Sequence, residues 1–156
     1  MTVYRPSPAP SFLRRRGVLM RTCQRTSPVR EALLIAPKTP EASLAEAMLR
    51  LLHGYDIHVG IAHTLGAGLD QLLAGMPDIL ILTDRLPPQD DAIGVLPILR
   101  RCGYRGPVVV IGVVGGRPRA RALKQAGAAD AIFHHEIDGA RFAEAMVATQ
   151  SRAEAA

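Results

Sequence analysis

The absences in this chain narrow its function first. Its 156 residues include two cysteines, Cys23 and Cys102, too few and too far apart for a metal-ligand spacing or a disulfide framework. A reducing compartment, the cytoplasm, is the expected location. No apolar run approaches the roughly 20 residues that cross a bilayer as a helix. The first thirty residues contain no acid, and no apolar segment follows their arginines, so they do not form a secretory signal. No nucleophile–base pair stands at a usable spacing, which argues against an enzyme with its own turnover.

Charge is unevenly placed. Residues 1–30 hold Arg5, Arg14, Arg15, Arg16, Arg21, Arg25 and Arg30, with prolines 6, 8, 10 and 28. The remaining residues carry twelve basic and fourteen acidic side chains, so the net +5 belongs to the leader and the body is slightly acidic. Nucleic-acid binding by the body is therefore not expected. Low periodicity and high charge predict a disordered tail over 1–30. It reads as an inert extension, with Met20 an alternative start, or as a transit peptide or anion-binding arm.

The body, residues 31–150, alternates strand and helix. Ala32–Ala36 is a buried strand, and Thr39-Pro40 supplies an N-cap and a first-turn proline. Leu44, Ala47, Met48, Leu51 and Leu52 recur at helical spacing, and Gly54 ends that helix. Ile57–Ala62 is a second strand. Thr64 caps a second helix bearing Leu65, Leu69, Leu72 and Leu73, which stops at Gly75. Pro77 to Asp91, PDILILTDRLPPQDD, holds a third strand apolar on both faces, as in a buried parallel sheet. A third helix runs from Ala92 to Arg101, with Pro97 inside it and Asp90 and Asp91 as N-cap acids. A fourth strand covers Pro107–Ile111. A glycine-rich loop, Gly112 to Gly116, leads to a helix near Pro118–Gln125. A fifth strand spans Ala129–Phe133. A last helix spans about Asp138–Thr149, with Ala140, Phe142, Ala143, Met146 and Val147 as its apolar side. Residues 151–156 form a short tail, with no output domain after it. Such alternation predicts an α/β fold, a doubly wound five-stranded parallel sheet of order 2-1-3-4-5, flavodoxin-like, with helices on both faces.

The PDILIL strand, the Leu86-Pro87 turn, the Pro107-VVVI strand and the Ala126-Gly127-Ala128-Ala129-Asp130 run resemble the receiver domain of bacterial two-component response regulators. The resemblance covers nearly all of 31–150. It implies an acidic phosphoacceptor site, and the matching positions lack the acids. Thr83 stands where the family has its phosphoaccepting aspartate. Ala36 and Pro37, followed by Lys38, stand where two acids would hold Mg²⁺. Gly112 replaces the Ser or Thr that reports the phosphoryl group. His134 replaces the lysine, and His135 the proline after it. Mg²⁺ takes near-octahedral oxygen ligands, and without it the charge on a transferring phosphoryl group is poorly offset.

These residues predict a degenerate receiver-like domain that signals by docking to a protein, be it a histidine kinase, another regulator or an output protein. No cofactor or metal is expected. Asp84, one residue late, is the alternative phosphoacceptor, with Asp90 or Asp91 in support; its plain reading is a loop acid facing Arg85. His134 is weighed as a partner of Asp84 or a soft-metal ligand against an ordinary polar strand end. The Gly112–Gly116 loop, with Arg117, is a weak candidate cradle for an anion or small ligand. Asp56, His58 and Gly60 resemble the DxHxxG of cobalamin-binding domains, but the glycine falls one residue early. Arg117, Arg119, Arg121 and Lys124 form a basic end to helix four. In the receiver family, helix four, strand five and helix five form the usual docking and homodimer face.

Overall fold

The computed structural model describes residues 29–54, 56–86 and 90–155, and the leader expected over 1–30 lies almost wholly outside them. Strands β1 (Glu31–Ile35), β2 (His58–Ala62), β3 (Ile79–Thr83), β4 (Val108–Val113) and β5 (Asp130–Phe133) form one parallel sheet of order β2-β1-β3-β4-β5. The doubly wound arrangement read from the sequence is therefore present. Helices α1 (Pro40–His53) and α5 (Gly139–Ala155) cover one face; α2 (Leu65–Ala74), α3 (Ala92–Arg101) and α4 (Gly116–Gln125) cover the other. Strand alternation sorts the core accordingly. Leu34, Ile79 and Ile81 face α1 and α5, while Leu33, Leu80 and Leu82 face α2 to α4. Every residue of β3 is buried, as a central strand with helices on both sides requires. Among the described residues no helix is long and apolar enough to cross a membrane.

Helix starts follow the caps. Thr39, Thr64 and Asp91 accept backbone N–H groups from Ala42, Ala67 and Gly94. Helix α3 starts at Ala92, directly after its cap Asp91, so Pro97 lies inside it. A two-residue antiparallel pairing of Arg85–Leu86 with Asp90–Asp91 precedes it. Asp90 therefore stands in that pairing, and Asp91 alone is the cap.

Several faces and boundaries differ from the sequence reading. Helix α1 buries Ala42, Ala45, Met48 and Leu49, whereas Leu44, Leu51 and Leu52 are exposed. Small alanines let the helix approach the sheet closely, and the bulkier leucines flank that contact. Leu73 and Val147 are likewise exposed, and Ala145 takes the inward place on α5. Strand β4 runs two residues past Ile111, so Gly112 and Val113 belong to the sheet rather than to a loop. Between Val110 and Val113 it carries one more residue than β5, a bulge, with Gly112 at φ +70°. Helix α5 continues to Ala155, through the residues expected as a tail.

Two local devices position the ends of the sheet. Arg100, at the end of α3, donates to the carbonyls of Tyr104, Gly106 and Gly127 at 3.0, 2.8 and 3.4 Å. On the edge strand β2, His58 and Ala62 use backbone groups to pair inward, which turns those of Val59 and Ile61 outward. Gln71 of α2 donates its side-chain amide to the Ile61 carbonyl at 2.9 Å. It lies across Gly60, where a Cβ would stand 2.6 Å from the Gln71 amide oxygen.

Candidate functional site

The carboxyl ends of β1, β3 and β4 meet at the mouth of the sheet, where an open parallel α/β fold places its chemistry. Ala36 follows β1 and is fully buried, its N–H donating to the Ala62 carbonyl at 2.9 Å. Pro37 and Lys38 follow. None of the three offers a carboxylate.

Strand β3 ends in two polar residues that face opposite ways. Its register against β4 is unbroken from Leu80 to Thr83, so no bulge rotates the chain there. Thr83 shares the side of Ile79 and Ile81, and its hydroxyl donates to the Arg85 carbonyl at 2.9 Å. Asp84 continues the alternation to the opposite side, facing α4. Its carboxylate is 2% exposed and receives two hydrogen bonds from Arg119, Nη2 to Oδ1 at 2.6 Å and Nε to Oδ2 at 3.1 Å. Its backbone is fixed as well: the N–H donates to Ile111 and the carbonyl accepts from Ala92, both at 2.9 Å. Asp91 adds a second, longer contact to Arg119, at 3.7 Å. The hydrogen bond to Asp84 raises the pKa of the Arg119 guanidinium further, against the opposing effect of burial. Asp84 thus faces Arg119 rather than its neighbour Arg85.

Two more residues define the mouth. Gly112, in its left-handed conformation, sits beneath Glu41 of α1: a Cβ there would lie 3.3 Å from Glu41 Oε2. That oxygen is buried without a hydrogen-bond partner. Sequence reasoning passed over Glu41 because it counted only the residues directly after β1. An acid in the first turn of α1 that can fold back over the sheet was the available signal. Among the described residues no three or more His, Cys, Asp and Glu side chains converge as a metal site would.

His134 does not join Asp84, whose partners are Arg119, Ile111 and Ala92. Its N–H donates to the Val113 carbonyl, and its exposed ring stands edge-on to His135 with centroids 5.2 Å apart. Together with Gly115, Gly116, Arg117 and Glu136 the two histidines line a cleft of about 230 Å³. The cobalamin-like trio is dispersed: His58 and Gly60 lie inside β2, away from the mouth.

The basic residues of α4 divide. Arg119 turns inward to Asp84, so it is not part of an exposed basic stripe. Lys124 reaches Asp130 at 3.7 Å, and Arg117 and Arg121 are exposed. Asp130 is gripped by Arg141 of α5 through two hydrogen bonds of 2.9 Å. Burial alone would raise the Asp130 pKa, but the hydrogen bonds from Arg141 and Ala131 outweigh it and hold it below the usual carboxylate value.

No protein-family model and no curated protein matches the chain. Solved structures do. The signal receiver domain of a Vibrio parahaemolyticus protein described as a LuxO repressor is similar at 19% identity and TM-score 0.67, over 81% of this chain and 93% of that one. The Francisella response regulator 1452 receiver domain matches at 15% identity and TM-score 0.60, over 79% and 98%. The beryllofluoride-activated NtrC4 receiver domain, solved as a dimer, matches at 18% and 0.64, over 78% and 98%. The likeness is one of fold: this chain folds as a receiver domain does.

Proposed function

We propose that this chain is a receiver-fold signalling module that works by docking to a protein and takes no phosphoryl group on an aspartate. One observation carries the reading. The acid at the end of β3 faces α4, and the Arg119 guanidinium lies on both of its oxygens. A phosphoacceptor needs a free carboxylate oxygen at the mouth, beside a bound cation. Here the residue facing the other way is Thr83, whose hydroxyl is engaged by Arg85, and Ala36 and Pro37 supply no cation ligand. Gly112 supports the same reading, since a hydroxyl-bearing side chain at φ +70° would be strained and would press on Glu41.

The partner is a protein: a histidine kinase, another regulator or an output protein in the cytoplasm. The α4–β5–α5 face is the surface proposed for it, with Arg117 and Arg121 as its exposed charges. NtrC4's receiver was solved as a dimer, and a homodimer through the same face is the corresponding proposal for this chain. Incubation with acetyl phosphate and Mg²⁺, read by intact mass, tests the central claim. The expected spectrum shows no phosphoryl adduct. A stable adduct that disappears in Asp84→Ala would overturn the proposal and install Asp84 as the phosphoacceptor.

A further inference from the structure

We infer that the groove between α1 and the edge strand β2 binds a small amphipathic carboxylate. The groove is an open cleft of about 520 Å³, within the span of roughly 300–1,000 Å³ typical of small-molecule clefts. It adjoins the mouth described above at Lys38 and lies on the far side of β1 from β3. Its existence follows from the topology. β2 is the last strand on its side of the sheet, and α1 lies on the α1–α5 face without covering it fully. Ile61 is left partly exposed and makes the apolar floor, with the fully buried Leu34 behind it.

The polar groups are asymmetric, and they choose the ligand. Ser43 and Glu46 stand on the α1 wall. Glu46 is already neutralised by Arg50 at 3.0 Å. Lys38, at the carboxyl end of the groove, forms no ion pair among the described residues. Beside it, His63 donates from Nδ1 to the Ala36 carbonyl at 3.0 Å, which fixes the ring and leaves Nε2 uncommitted. The unmatched charge in the groove is therefore positive and sits at one end of an apolar floor. A carboxylate head placed on Lys38 and the Ser43 hydroxyl, with a short hydrocarbon body over Ile61, satisfies both. A cationic head would face Lys38 unscreened, and a wholly apolar molecule would leave that charge without a partner.

Hexanoate is the probe, titrated into the ¹⁵N-labelled full chain and followed by amide shifts. Saturable shifts are expected at Lys38, Ser43, Ile61 and His63. Lys38→Glu should weaken hexanoate binding by about tenfold or more, and Ile61→Trp, which fills the floor, should abolish it. Arg105→Glu, an exposed charge change elsewhere, should leave it unaltered. The amide spectrum of each variant reports at once whether it is folded. Non-saturating shifts, equal response to hexylamine, or undiminished binding by folded Lys38→Glu would overturn the inference. None of these outcomes depends on whether Asp84 accepts phosphate.

Discussion

Arg119→Ala should be the most costly single change at the mouth of the sheet. The carboxylate of Asp84 is 2% exposed, and both its oxygens are held by Arg119. Removing the guanidinium leaves a buried charge with only the longer-range help of its surroundings, a loss worth about 3–5 kcal/mol when both partners are dry. The Arg119 side chain is itself 22% exposed, so water reaches the vacated place and the lower end, about 3 kcal/mol, applies. Asp84→Asn keeps the shape and leaves the charge that remains on the wetter partner, so it should cost only about 1 kcal/mol. Combining them, Asp84→Asn with Arg119→Ala, should cost about 2 kcal/mol rather than the additive sum of about 4, a coupling energy of about 2 kcal/mol. Urea denaturation of the four proteins measures all three quantities. The reasoning fails if Arg119→Ala costs less than about 0.5 kcal/mol, the range of ordinary surface changes, or if the double substitution is simply additive.

Gly112→Ala should destabilise by roughly 1–2 kcal/mol, the cost of a left-handed backbone with a side chain, and Glu41→Ala should not relieve it fully; thermal melts of both variants decide this. Arg100→Met keeps the aliphatic stem but strips three carbonyls of their donor, with a loss of about 2 kcal/mol expected in chemical denaturation. Acid should weaken the fold in two stages. Burial lowers the His53 pKa below its ordinary 6.5, so the unfolded chain gains a proton first and stability falls as pH drops below 6.5 through the folded value. His53→Leu should remove that stage. Asp130, held below its ordinary 3.8 by Arg141, contributes stability that is kept above 3.8 and lost as pH falls through its folded value. Arg141→Met should remove that second stage in a pH series of urea midpoints; retention of both stages in both variants would contradict the assignment.

Local chemistry was legible in the sequence and tertiary reach was not. Thr39, Thr64 and Asp91 announce their helices because a cap acts on a backbone N–H three residues away. Ile79 to Leu82 announces the central strand because burial on both faces removes every polar residue from it. The inward face of α1 is legible only in part: Met48 is buried as its spacing predicts, but a hydrophobic count favours Leu44 and Leu51, while contact distance favours Ala42 and Ala45. The empty acid positions were visible as Ala36, Pro37 and Thr83. The partner of Asp84 was not, since Arg119 lies 35 residues away on a helix that reads as basic and solvated. Only the crossover that lays α4 beside the end of β3 brings the two together. Glu41 escaped for the same reason, as its side chain reaches β4 from the far end of a loop.

The Gln71 amide that lies over Gly60 also shapes how copies of this chain meet one another. An open sheet invites another chain to add itself along its outermost strand. With the Ile61 carbonyl already satisfied, that outermost strand offers a broken row of acceptors, and a sister molecule would have to displace the glutamine to extend the sheet. Fibril growth from that side therefore carries the cost of breaking the Gln71–Ile61 hydrogen bond first.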